Sequence, residues 1–166
     1  MSTKNATLAI TALIAILGIS ATEVEAQASP SARRVWLAAG LGIGTFGPLG
    51  FGGVAELVYQ GGPHLVALRA TAVADLEDGV FDIWLLYGRA SSRQGGVGQL
   101  SAAIGLSVVS FDGPQRRTDA AIGVPLAVEA TSNALFIGLG VKGFANLNTV
   151  QSFGGVVLIL KLGQLR

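Results

Sequence analysis

His64 is the only imidazole among the 166 residues. Imidazole is the usual proton acceptor for a nucleophilic serine, and such a pair needs a placed base to activate the hydroxyl. The local sequence is His64-Leu65-Val66, so no serine stands beside it. Cysteine is absent, which excludes a thiol nucleophile, a disulfide scaffold and a thiolate metal centre. One histidine cannot build a polyhistidine metal site. Two segments, Gly42-Ile43-Gly44-Thr45-Phe46-Gly47 and Gly138-Leu139-Gly140-Val141-Lys142-Gly143, match Gly-x-Gly-x-x-Gly. A dinucleotide phosphate site needs a helix opening at that loop. Pro48 and Gly50 follow the first match and a strand turn follows the second, so neither context is helical. These glycines read instead as positions where crowded strands need a thin wall. The residue types point to no catalytic site, no metal and no cofactor.

The remaining chemistry is charge. Only 13% of the residues are charged, 51% are apolar and 24 are Gly, with a formal net charge of +1. So much apolar surface excludes disorder. The absence of a Lys/Arg-rich face argues against nucleic acid. Five charges interrupt long apolar stretches: Glu56, Arg69, Asp82, Glu129 and Lys142. Buried and unpaired, each would cost several kcal/mol, on the order of the desolvation penalty of a single ion. Pairing is therefore expected, with Glu56 and Arg69 on neighbouring strands as the first candidate pair.

Those charges sit in segments that alternate with period two. In 99–109, Gln99, Ser101, Ala103, Gly105 and Ser107 share one face, and Leu100, Ala102, Ile104, Leu106 and Val108 the other. In 79–89, Phe81, Ile83, Leu85 and Tyr87 oppose Asp82, Trp84, Leu86 and Gly88. In 120–130, Ile122, Val124, Leu126 and Val128 oppose Gly123, Ala127 and Glu129. Turn-forming clusters separate the runs: Gly47-Pro48, Gly61-Gly62-Pro63, Glu77-Asp78-Gly79, Ser91 to Gly96, Asp112-Gly113-Pro114, Thr131-Ser132-Asn133 and Asn146 to Thr149. They predict strands near 34–45, 51–60, 64–75, 79–90, 96–110, 119–130, 134–145 and 150–163. Such lengths suit tilted membrane strands better than ordinary ones. The expected fold class is all-β: an antiparallel up-and-down eight-stranded transmembrane barrel, whose closure removes the apolar edges.

The charge count decides which face meets solvent. The wet outer face of a soluble barrel should carry several charges per strand. Here the polar face offers Gly, Ala, Ser and a single charge, which suits a narrow lumen. Aromatic residues gather at strand ends. Trp36, Tyr59, Tyr87 and Phe136 mark one rim, and Phe46, Phe51, Phe81, Phe111, Phe144 and Phe153 the other, with only Trp84 at mid-strand. Trp84, Leu86 and Phe136 are candidates to fill the lumen, since eight strands enclose little more than side chains.

Residues 1–28 read as a cleaved secretory signal peptide. Lys4 supplies the basic start, Ala6 to Ile19 the apolar run, and Ala26-Gln27-Ala28 the small-x-small cleavage pattern before Ser29-Pro30. The apolar run is shorter than the roughly 20 residues that span a bilayer as a helix. The expected organisation is 1–28 signal peptide and 29–166 barrel domain.

The signal peptide and the eight alternating Gly-rich strands over 33–166 resemble the small outer-membrane β-barrel proteins of Gram-negative bacteria. The resemblance implies the cell outer membrane as location, with outer-membrane lipid and the barrel-insertion machinery as partners. It implies a structural or envelope-interaction role. Barrels of this class usually close on an aromatic residue. This chain ends Gln164-Leu165-Arg166 after its last strand. Some relatives modify lipid A with His, Ser and an acid near the outer rim, but His64 belongs to the opposite, periplasmic rim and lacks a partner serine nearby. Arg116 and Arg117, in the polar stretch Asp112 to Asp119, are candidates for lipopolysaccharide contact, since guanidinium forks suit phosphate oxygens. Arg89 and Arg93 read as solvated. The alternative is a soluble secreted or periplasmic barrel that binds a small apolar ligand. In that case Leu100, Ile104, Leu106 and Val108 would line a cavity.

Overall fold

The computed structural model describes residues 33–47, 49–92, 98–112 and 120–165. The expected signal peptide (1–28) and the candidates Arg116 and Arg117 lie outside the described residues. The strands are β1 (Arg33–Thr45), β2 (Leu49–Gly61), β3 (His64–Ala74), β4 (Gly79–Ser92), β5 (Gly98–Asp112), β6 (Ala120–Ala134), β7 (Ile137–Asn148) and β8 (Phe153–Gly163). Each pairs antiparallel with the next, and β8 returns to β1 from Trp36↔Gly163 to Thr45↔Gly154. The barrel is closed and no edge is left for another chain to pair with. Both ends of the strand order lie at one rim, here the terminal end, together with the β2–β3, β4–β5 and β6–β7 connections. The other four connections form the far end.

Alternation sets the register. One outward row runs Leu162, Leu37, Leu57, Leu68, Leu85, Leu106 across β8, β1, β2, β3, β4 and β5, each paired with the next. These six leucines are 48–65% exposed. A one-residue slip would turn the whole row into the lumen and the charges outward, so the pattern fixes the pairing. Leu100, Ile104 and Val108 also face outward. The cavity that the soluble alternative requires them to line is not there.

Pro125 sits within β6 and faces the lumen. It has no N–H to donate. The β5–β6 ladder accordingly lapses between Ile104↔Leu126 and Ser107↔Gly123, while Pro125 keeps its partner Asn146 on β7.

Three expectations are corrected. First, the Thr131-Ser132-Asn133 cluster is not a turn. It continues β6, because Thr131 and Asn133 point into a lumen that is polar at that height. The chain turns instead at Leu135-Phe136, between Ala134↔Ile137. Leu135 there has φ 40°, a left-handed conformation unusual for a branched side chain. Second, the aromatic rims are thinner than the positions suggest. Trp36, Phe46, Phe111, Phe144 and Phe153 turn inward and are buried, leaving Tyr59, Tyr87 and Phe136 outside at the terminal end and Phe51 and Phe81 at the far end. Parity along the strand, not nearness to its end, decides the direction. Third, Phe136 lies exposed in the β6–β7 turn and fills no lumen space, whereas Trp84 and Leu86 do.

The hydrophobic core is the inside of the barrel. Phe46, Val73, Val80, Val109, Phe111 and Phe153 close its far end. At the terminal end the backbone after β8 continues between β1 and the β6–β7 turn. The Gln164 N–H donates to Val35 O at 2.9 Å, and the side chain of Leu165 is buried.

Candidate functional site

Between these two apolar closures the lumen holds a chain of ions. Glu56, Arg69, Glu129 and Lys142 stand on β2, β3, β6 and β7, each at an inward position of the alternation. Arg69 Nε donates to Glu56 Oε2 at 2.8 Å. Lys142 Nζ bonds the other oxygen of Glu56 and lies 2.7 Å from Glu129 Oε2. The second oxygen of Glu129 is taken by Lys161, on β8. The order is Lys161–Glu129–Lys142–Glu56–Arg69, with cation and anion alternating across the barrel. All five are buried.

Lys161 is the member sequence reasoning missed. It lies near the end of a strand and reads there as a rim residue. Its signal was parity, since it alternates with the outward Leu160 and Leu162. Its ammonium lies 4.7 Å from the Trp36 ring centroid and donates to Thr131 Oγ1 and Gln99 Oε1, both at 3.3 Å. Gln60, Gln99 and Asn133 continue the polar layer. Gln99 Nε2 donates to Gln60 Oε1 at 3.1 Å, and Asn133 Nδ2 to Gln99 Oε1 at 3.2 Å.

Asp82 is not brought into this chain. It sits nearer the far end, beyond Trp84, where Asn146 Nδ2 donates to its Oδ2 at 2.7 Å and lies equally close to Ser107 Oγ. The Arg69 guanidinium stacks 4.9 Å from the Trp84 ring centroid, and Trp84 meets Phe144 edge-on at 6.0 Å. Indole and phenyl rings therefore separate the ion chain from Asp82. The cavity beside Arg69, Glu56 and Lys142 is about 20 Å³, room for roughly one water. Chemically, the arrangement is a cross-brace. It pairs each of its buried carboxylates with two cations and fills the lumen at that height.

The two glycine motifs lie on β1 and β7. A Cβ at Gly42 would fall 2.1 Å from Val156 O, and one at Gly140 would fall 2.3 Å from Ala130 O. Close strand approach accounts for both. His64 is exposed on the outer face at the terminal end, its Nδ1 hydrogen-bonded to the Tyr87 hydroxyl at 2.6 Å. No group of His, Asp or Glu side chains fit to hold a metal occurs among the described residues.

Solved structures share this architecture. Neisserial surface protein A superposes with a TM-score of 0.56 at 13% identity, over 78% of this chain and 95% of that one. The N-terminal β-barrel domain of OprF from Pseudomonas aeruginosa gives 0.64 at 9% identity, over 80% and 98%. This is the fold of the eight-stranded outer-membrane barrels. Ail, the attachment invasion locus protein of Yersinia pestis, gives 0.52 at 7% identity over 79% and 96%, in a complex with the heparin analogue sucrose octasulfate. At these identities the shared property is the barrel itself. No protein-family profile and no curated protein sequence matches the chain.

Proposed function

We propose that this chain is an outer-membrane β-barrel of Gram-negative type, exported by residues 1–28. Its role is structural or envelope-interacting, and it has no catalytic site. The observation that carries the reading is inverted polarity. Six leucines in one paired row face outward while five ions are buried inside. Water would penalise the exposed leucines, whereas hydrocarbon accepts them and keeps charge off the outer face. The short connections between β2 and β3 and between β6 and β7 support a periplasmic terminal end, since such barrels carry their short turns on that side. The ion chain Glu56, Arg69, Glu129, Lys142 and Lys161 braces the wall, with Asp82 held separately. The sole histidine is engaged with a tyrosine on the outside of the barrel at the terminal end, which supports the non-catalytic reading.

Outer-leaflet lipopolysaccharide is the proposed contact of Arg116 and Arg117. Both fall between β5 and β6 in the sequence, on the side of the barrel that a periplasmic terminal end leaves for the outer leaflet. Ail, of the same fold, carries a polyanion in its solved structure. The insertion machinery is a partner during biogenesis. The test is membrane fractionation with gel mobility before and after heating. A closed membrane barrel sediments with outer membranes and migrates faster unheated than boiled. Recovery in a soluble fraction with heat-independent mobility overturns the reading.

A further inference from the structure

Charge is distributed unequally along the barrel axis. Among the described residues outside the lumen, Asp75, Glu77, Asp78 and Asp112 all lie at the far end, and Arg33, His64 and Arg89 at the terminal end, with Arg34 on the inward face of the same mouth. No carboxylate side chain accompanies the basic group there. Three of these residues are aligned by register. Arg33 pairs with Gly61, Gly61 with His64, and His64 with Arg89. With Gly61 they form one row of paired positions across β1 to β4, facing outward. With strands about 4.8 Å apart, the two arginine backbones are roughly 14 Å apart, within reach of one headgroup between their side chains.

One step deeper on the same face lie Tyr59 and Tyr87, through Tyr59↔Val66 and Val66↔Tyr87. Both phenols reach back toward the rim. The Tyr87 hydroxyl is tied to His64 Nδ1, and the two rings stack with centroids 5.9 Å apart. The Tyr59 hydroxyl lies 3.7 Å from where a Cβ on Gly61 would be. Gly61 therefore leaves a notch in the row. Its base is a phenol, one side is an imidazole, and a guanidinium stands beyond each side. Forked guanidinium donors and a phenolic O–H are the groups that phosphate oxygens take. Tyrosines at a barrel rim mark the headgroup level of the bilayer.

We propose that Arg33, Tyr59, Gly61, His64, Tyr87 and Arg89 form a binding site for the phosphodiester headgroup of an anionic phospholipid. The site rests on the membrane reading given above and lies in the leaflet at the terminal end. A free phosphate would meet the same donors. The lipid is favoured because the notch opens sideways onto Val35 and Val66, both exposed, where an acyl chain would lie.

The test reconstitutes the mature chain, residues 29–166, in vesicles of phosphatidylcholine and phosphatidylglycerol, then measures retained lipid by native mass spectrometry. Wild type retains phosphatidylglycerol in preference to phosphatidylcholine. Arg33→Gln and Arg89→Gln each weaken that preference roughly fivefold, as expected for a basic residue at an anionic surface. Gly61→Leu fills the notch and weakens it without changing charge. Unheated gel mobility is read on the same samples. If wild type forms no heat-modifiable barrel in vesicles, the membrane reading fails, and the site with it. If the barrel forms and the variants retain lipid as wild type does, the site alone is overturned. Displacement of the lipid by excess inorganic phosphate reassigns the notch to the free ion and overturns the lipid.

Discussion

Lys142 Nζ lies 2.7 Å from Glu129 Oε2 and also bonds Glu56, so one ammonium joins the carboxylates of two strands that are not neighbours. The five-membered chain this creates has cations at both ends and in the middle. The pairs that survive deletion depend on which member is removed.

That order predicts an asymmetry. Removing Lys142 leaves two intact pairs, Arg69 with Glu56 and Lys161 with Glu129. Removing Glu56 strips Arg69 of its ion-pair partner and makes Lys142 compete with Lys161 for Glu129. A buried charge stripped of its partner costs about 3–5 kcal/mol, whereas an apolar replacement that leaves every other charge paired is near neutral. Glu56→Gln should destabilise the barrel by about 3–5 kcal/mol and Lys142→Met by about 1 kcal/mol or less. Urea unfolding in lipid vesicles measures both. Equal losses would mean that the chain is not the energetic unit the distances describe.

Glycine positions split in the same testable way. A Cβ at Gly105 would lie 1.8 Å from Leu85 O, a backbone atom that cannot swing away. At Gly53 the nearest atom would be Leu41 Cδ2 at 3.6 Å, an ordinary contact on the outer face. Gly105→Ala should destabilise by roughly 1–3 kcal/mol through overpacking. Gly53→Ala should be neutral or stabilise by up to about 1 kcal/mol, because alanine has less backbone entropy to lose. Unfolding midpoints of the two variants in one lipid decide the matter. A Gly105→Ala barrel as stable as wild type would show that β4 and β5 can move apart.

Period-two alternation made most of the fold legible, because parity is a property of sequence alone. Trp84, Leu86 and Asp82 read as inward beside the outward Phe81, Ile83 and Leu85, and they are. The same parity turns Lys161 and Phe111 inward, although both stand near strand ends, where composition alone suggests a rim. The β6–β7 turn was not legible. Thr131-Ser132-Asn133 carries turn composition, yet those side chains serve the lumen's polar layer. The real turn, Leu135-Phe136, carries no turn residue. Which ions meet was legible only for neighbours. Glu56 and Arg69 are one register step apart, whereas Glu56 and Lys142 meet across the lumen, and that contact depends on closure.

Asp75 gives a pH handle at the far end. Its Oδ1 accepts the backbone N–H groups of Asp78 and Glu77, each at 2.8 Å, and these bonds hold the carboxyl below its ordinary value of 3.8. A depressed folded value stabilises the turn above the unfolded value and loses that contribution as pH falls through the folded one. The β3–β4 turn should therefore stay ordered at pH 5 and loosen only in acid below about the ordinary carboxylate range. Asp75→Asn, whose amide oxygen can still accept both bonds, should remove most of the acid dependence. Asp75→Ala should loosen the turn at neutral pH. Amide exchange of Glu77 and Asp78 against pH reads each case. Exchange unaffected by Asp75→Ala would show that the side chain does not hold the turn.

Leu85 tests the surroundings of the barrel most directly. It lies mid-way along β4, outward, between Leu68 and Leu106 in the leucine row. In water an arginine at such an exposed site would be neutral for stability, within about 0.5 kcal/mol. In hydrocarbon at the bilayer midplane it costs about 2–4 kcal/mol. The same substitution at His64, at the rim, should cost no more than about 1 kcal/mol in a bilayer, because the charge reaches the headgroups. The two settings thus predict opposite patterns from one pair of variants. A loss at Leu85→Arg that is several times the loss at His64→Arg, measured by unfolding in vesicles, is what a membrane-embedded leucine row produces. Equal and negligible losses at both sites would mean that the row does not lie in hydrocarbon.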